Sequence, residues 1–148
     1  MKLISHRGNI SGRNIHLEND PDYITCTMHS GYDVEIDVWY ECDRLWLGHD
    51  EPEYKTTIGF LLSNADKLWI HCKNFEALNY LLEEESLRLF YHEYEDHTIM
   101  SNRLIWAHDI NKANGRCIIP LLTKESIEQW IPIPVYGVCS DYIGVLND

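Results

Sequence analysis

Two short stretches carry residues that can do chemistry together. Ser5-His6-Arg7-Gly8 lies near the start of the chain, and Glu35-Ile36-Asp37 is followed twelve residues later by His49-Asp50. Each is a polar cluster at the end of a short apolar run. Between them they supply two imidazoles, a guanidinium and two carboxylates. Carboxylate oxygens hold a hard divalent cation. A guanidinium pairs with phosphate oxygens, and an imidazole takes or gives a proton near neutral pH. The set suits a divalent cation and a phosphodiester, with proton transfer at each end.

The elements around these residues read as alternating strand and helix. Lys2–Ser5 is a short apolar run ending in polar residues. Asp20-Pro21 starts a helix, with Asp as N-cap and Pro at the first helical position, and Gly31 suits its exit. Over Asp33–Val38, Val34, Ile36 and Val38 alternate with Asp33, Glu35 and Asp37, which is strand periodicity. Residues two apart on a strand point the same way, so Glu35 and Asp37 share a face. Two orientations are open. Facing inward, the acids are costly unless paired or metal-bound; on an edge strand, they face solvent. Arg44–Leu47 is extended, and Thr57–Asn64 is a short helix. Lys67–Cys72 is a strand, followed by a helix capped by Asn74 with a stripe of Phe75, Ala77, Leu78, Leu81 and Leu82. Arg88–His92, Leu104–Ala107, Cys117–Leu122 and Val135–Cys139 read as strands. Between the last two, a helix capped by Thr123 carries Ile127, Trp130 and Ile131.

Alternating βα units argue for a parallel sheet with ligands at the carboxyl ends of its strands. Polar residues sit at those ends: His6 and Arg7, His49, His71 and Lys73, His92, and Asp141. Five elements delivering polar groups to one edge is the layout of a barrel active site. His16, His29, His97 and His108 carry no motif and read as ordinary. The five tryptophans read as packing, with Trp39 and Trp46 close enough to the carboxylate motif to line a pocket.

His6-Arg7-Gly8, Glu18-Asn19, Glu35-x-Asp37 and His49-Asp50 occur in an order and spacing that resembles the glycerophosphodiester phosphodiesterases, within the phospholipase-C-like phosphodiesterase superfamily. Ile70-His71-Cys72-Lys73 falls where that family has a Glu-x-Lys strand end, and Ser140-Asp141-Tyr142 is similar to its final Thr-Asp-Tyr. The resemblance implies a (β/α)8-type barrel and a divalent cation, usually Mg2+ or Ca2+, with Mn2+ a third choice. It implies Glu35 and Asp37 as metal ligands and His6 and His49 as acid and base. Arg7 would clamp the phosphate bidentately, with Glu18 orienting it or, alternatively, as its plain ion-pair partner. Lys73 would add positive charge at the transition state. From its place at the same edge, His92 would support the site or touch substrate, and Asp141 would hydrogen-bond the site or cap the last strand loop. Two features depart from the family's pattern. His71 stands where the third carboxylate ligand belongs, which removes one negative charge. The chain has 148 residues, against the ~250 typical of such a barrel. A reduced or incomplete α/β barrel over residues 1–148 as one domain is expected, with exposed strands that a homodimer would cover.

Composition removes other classes. The chain is 45% hydrophobic, enough for a core, and lacks the run of ~20 apolar residues that a membrane span needs. Its N-terminus reads as a first strand with no signal-peptide apolar segment. Five cysteines without a C-x-x-C point to reduced thiols in a cytoplasm. A net charge of −12, from 24 acidic and 12 basic residues, sets nucleic acid aside as a partner. The set His6, Arg7, Glu35, Asp37 and His49, with the resemblance, implies a metal-dependent enzyme acting on a small phosphodiester, by water or by a neighbouring hydroxyl of the substrate. The alternative is a module that keeps the pocket and binds a phosphate ester without turnover.

Overall fold

A computed structural model describes residues 1–147. Strands β1 (Lys2–His6), β2 (Asp33–Glu41), β3 (Arg44–Leu47), β4 (Tyr54–Thr56), β5 (Leu68–Cys72) and β6 (Leu89–Phe90) come from the first part of the chain. Strands β7 (His97–Ile99), β8 (Ile105–Ala107), β9 (Cys117–Pro120) and β10 (Gly137–Ser140) come from the second. The helices are α1 (Pro21–His29), α2 (Ile58–Ser63), α3 (Phe75–Leu81) and α4 (Lys124–Glu128). Each begins where a side chain caps it: Asp20, Thr57, Asn74 and Thr123 accept from backbone N–H groups of the first turn.

Seven strands run parallel, in the spatial order β6-β5-β2-β1-β10-β9-β8. The sheet is mixed, however, and ten-stranded: β3, β4 and β7 pair antiparallel, against the expectation of parallel pairing throughout. The reason is the length of the connections. Two residues join β2 to β3, and such a link permits only a hairpin.

The sheet packs its two faces differently. On the outer face, α1, α2 and α3 cover one apolar cluster built on Val34, Ile36, Leu68 and Ile70, and α4 covers a second built on Ile119 and Val138. On the other face, Ile4, Trp69, Phe90, Met100, Trp106, Ile118 and Cys139 form one cluster, although their strands span the sheet. Only a sheet that curls on itself brings these residues together. The two ends of the parallel run meet through side chains: Phe90 of β6 stacks on Trp106 of β8 with ring centroids 4.5 Å apart. Ser101 N donates to Leu89 O at 2.8 Å at the same place. No β6–β8 ladder closes the sheet among the described residues.

Asp33 anchors the amino-terminal end of the curl. It is buried, accepts from Trp69 Nε1 at 3.0 Å, and is ringed by Lys2, Lys67 and Arg88 at 3.1–3.6 Å. Cys72, Cys117 and Cys139 are buried free thiols, and Cys26 and Cys42 are exposed. No described helix is long and apolar enough to cross a membrane.

Candidate functional site

Successive inward residues of a strand lie two apart. That spacing carries five of the seven parallel strands from an apolar interior residue to a polar one at the carboxyl rim: Ile4 to His6, Trp69 to His71, Phe90 to His92, Trp106 to His108, Cys139 to Asp141; on β9 it leads from Ile118 to Pro120. β2 alone carries acids throughout, with Asp33, Glu35 and Asp37 all buried. Of the two orientations open for Glu35 and Asp37, the inward one holds.

The turn after β1 shapes the site. Arg7 has a φ of 56° and Gly8 of 97°. A left-handed non-glycine residue costs on the order of 1 kcal/mol or more. Here Arg7 is pinned on both sides, its N–H donating to Glu35 O at 2.9 Å and its carbonyl accepting from Asn19 N at 3.1 Å. Gly8 cannot be replaced freely, because a Cβ there would meet the Tyr23 ring.

His49 reaches the same rim by a different route. β2 extends past the rim to Glu41, and β3 returns antiparallel, pairing Leu47 with Val38. Gly48 N then donates to Asp37 O at 3.2 Å, and His49 Nδ1 lies 3.4 Å from Asp37 Oδ2. Trp39 is not among the described residues lining the two cavities at the site; its Nε1 donates to Gly48 O at 2.7 Å and holds the His49 turn. Trp46 lies under Lys55, away from the site.

Asp37 is fully buried and is the most contacted carboxylate. Oδ2 accepts from Asn19 Nδ2 at 2.9 Å and sits 2.8 Å from Arg7 Nε, an ion pair whose angle is not that of a hydrogen bond. Oδ1 lies 3.0 Å from His71 Nδ1 and 3.7 Å from Lys73 Nζ. Burial opposes its charge, but His49, His71 and Arg7 more than offset that, and its carboxyl is held well below the usual range. Glu35 is the opposite case. Burial and the neighbouring Asp37 charge push its carboxyl well above the usual range. Its Oε2 has no hydrogen-bond partner among the described residues, and the nearest imidazole nitrogen, His6 Nε2, is 3.9 Å away.

An orphaned buried carboxylate oxygen is costly unless something positive completes it. Glu35, Asp37 and His71 each offer one ligand atom, all within 4.8 Å of one another. Burial lowers the pKa of His71, which favours the neutral ring a metal requires. These residues fit a divalent cation.

His6 Nδ1 lies 2.8 Å from Asp141 Oδ1, so the ring donates there and turns Nε2 toward Glu35. Asn9 Nδ2 also donates to Asp141 Oδ1, at 2.7 Å. Burial opposes charge on Asp141, yet the bonds from His6 and Asn9 hold its carboxyl below the ordinary range. Glu18 accepts from Arg7 at 3.2 Å, Asn9 at 3.1 Å and Arg13 at 3.0 Å. With Nη1 on Glu18 and Nε on Asp37, Arg7 keeps Nη2 toward His49 at 3.5 Å. That pose offers a phosphate one nitrogen, where the resemblance implies a bidentate clamp.

Two cavities meet at these residues. An inner one of about 280 Å³ includes Glu35, His71, Lys73, Phe90, Trp106 and His108 in its lining. An outer one of about 720 Å³ opens past Arg13, Thr123, Lys124 and Asp141. His6, Arg7 and His49 line both. All ten residues singled out from the sequence therefore lie at or behind one cleft. Asn9, Arg13 and His108 belong to it as well and carry no motif. His108 was findable by counting two residues on from Trp106; Asn9 and Arg13 lie in an irregular loop with no period to count.

No protein family, no curated protein and no solved structure matches the chain.

Proposed function

We propose that the chain is a metal-dependent phosphodiesterase acting on a small, glycerophosphodiester-like diester, built on a reduced (β/α)8-type barrel of seven parallel strands with side-chain contacts across the seam between β6 and β8. One observation carries this reading: His6, Arg7 and His49 stand where the two cavities meet, beside an orphaned buried carboxylate. A phosphate bound there has a separate space for each of its two ester arms, which a monoester would not need. The ordered motifs of the sequence support the same reading.

In this mechanism Arg7 Nη2 and Lys73 Nζ neutralise the phosphate oxygens and stabilise charge that grows in the transition state. His6, oriented by Asp141, takes the proton of the attacking water or substrate hydroxyl through Nε2. His49, at the junction of the cavities, returns a proton to the departing alkoxide. Glu35, Asp37 and His71 would hold the divalent cation, which supplies Lewis-acid polarisation of a phosphoryl oxygen.

A second reading, binding of a phosphate ester without turnover, draws on the crowding of Asp37. Arg7, Lys73, His49, His71 and Asn19 already surround it, and a cation must share it with them. Hydrolysis of bis(p-nitrophenyl) phosphate and glycerophosphodiesters with Mg2+, Ca2+, Mn2+ or Zn2+ separates the two. Metal-dependent turnover is expected, and His6→Ala and His49→Ala should each lower kcat by about 10²–10⁴-fold. A variant that keeps most of the activity removes that histidine from the mechanism. Phosphate-ester binding with no turnover under any metal selects the binding module.

A further inference from the structure

We propose that the cation at Glu35, Asp37 and His71 is zinc or a neighbouring first-row ion that bonds to nitrogen, and that His71 sets this choice against magnesium and calcium. The inference rests on the metal-dependent reading above and concerns the identity of the ion.

Magnesium and calcium take oxygen ligands almost exclusively, and their binding scales with the negative charge of the cage. An imidazole nitrogen suits zinc and neighbouring first-row ions. The site offers two carboxylates and one imidazole. Arg7 and Lys73 beside Asp37 lower its effective negative charge further. A hard ion therefore loses both a charge and a preferred donor, while an ion that bonds to nitrogen keeps three good ligands.

The nitrogen is held in place. His71 Nδ1 lies 3.0 Å from Asp37 Oδ1 and 4.0 Å from Glu35 Oε1. Its ring lies face-on to both Phe90 and His92, with centroids 4.9 and 4.6 Å away and planes within 7° of parallel. Phe90 is backed in turn by Trp106. The two stacked contacts fix the plane of a side chain that is 12% exposed, and the contact with Asp37 Oδ1 selects the ring flip that puts Nδ1 in the site. Lys73, the competing cation on Asp37 Oδ1, has a long flexible stem and can withdraw. The independent pointer to a ligand is Glu35 Oε2, which is buried and unpartnered.

Zinc outcompetes magnesium at most nitrogen- and oxygen-donor sites, so the informative quantity is how the preference changes with residue 71. The full chain is stripped with chelator. It is then titrated by calorimetry with Zn2+, Mn2+, Mg2+ and Ca2+, and with Co2+ while the visible absorption is followed. Wild type should bind Zn2+ in preference to Mn2+, Mg2+ and Ca2+, with a cobalt spectrum that shows a nitrogen ligand. His71→Glu should lower the zinc-over-magnesium ratio at least about tenfold, the least that loss of even an outlying supporting group costs a metal site. Should His71→Glu fail to fold by circular dichroism, His71→Ala serves, with zinc binding weakened and magnesium binding unchanged. The proposal is overturned if wild type binds Mg2+ or Ca2+ as tightly as Zn2+. It is also overturned if the ratio is unmoved in a folded residue-71 variant, or if no ion binds. Diester hydrolysis that persists in EDTA defeats this inference and leaves phosphodiester cleavage standing. Zinc selectivity without hydrolysis of any diester does the reverse.

Discussion

The carboxylate of Asp141 decides which nitrogen of His6 meets the substrate. By accepting from Nδ1 at 2.8 Å it turns Nε2 to the cleft, and Asn9 holds the same oxygen at 2.7 Å. Asp141→Asn keeps the shape but removes the charge that the two donors share. We expect kcat to fall about 10–100-fold, with a smaller change in KM, as for other supporting groups behind a reactive ligand. Steady-state kinetics on bis(p-nitrophenyl) phosphate check this; a kcat within twofold of wild type would show that His6 needs no such support. The residue types of this site were readable in the sequence because His6, Arg7, Glu35, Asp37 and His49 stand in ordered motifs. Their pairings were not, since Arg7 with Asp37, or His6 with Asp141, joins positions 30 or more apart in the chain.

Among the elements, the seam between β6 and β8 is where this fold departs most from a closed sheet. No ladder spans it, and Phe90 against Trp106 takes its place. Both rings are buried. Truncating a buried aromatic costs about 3–5 kcal/mol, and here the loss falls on the contact that joins the two ends of the parallel run. Trp106→Ala should therefore lower stability by that amount in urea denaturation. A loss under about 1 kcal/mol would mean that the seam holds by other means. The seam also supports the site, because His71 lies against Phe90. The parallel βα units were legible in the apolar periodicity and the caps at Asp20, Asn74 and Thr123. β4 and β7 were not, since three residues are too few to show a period. The direction of β3 was hidden for another reason: an extended run looks the same in sequence whichever way its partner runs.

For the molecule as a whole, acid should act partly through the imidazole layer at the rim. Burial, with the like charges of His71 and His108 second, holds His92 at about 4 against an ordinary 6.5. The unfolded chain then binds more protons than the folded one between those values. The contribution of neutral His92 to stability is thus complete above about pH 6.5 and is lost as pH falls through about 4. His92→Phe keeps a stacked ring and cannot take a proton, so its stability should fall less steeply across that window. The difference between the two urea-unfolding free energies, measured at several pH values, isolates this contribution from the changing charge of a chain that carries −12 at neutral pH. Parallel curves would show that His92 takes no part in the acid response.

By itself the sequence determined the chemical inventory and the local structure. Those depend on residue type, on period-two and helical spacing, and on capping side chains, all of which act over a few positions. Tertiary structure decided that Glu35 Oε2 would have no hydrogen-bond partner among the described residues while Asp37 gathered five neighbours. It also decided that His108, Asn9 and Arg13 would join the cleft, and that Phe90 and Trp106 would meet across an open seam. The physical reason is the curl of the sheet. Burial and electrostatic pairing at the rim arise only when strands distant in sequence are brought around one interior, and no spacing along the chain records how that curl ends.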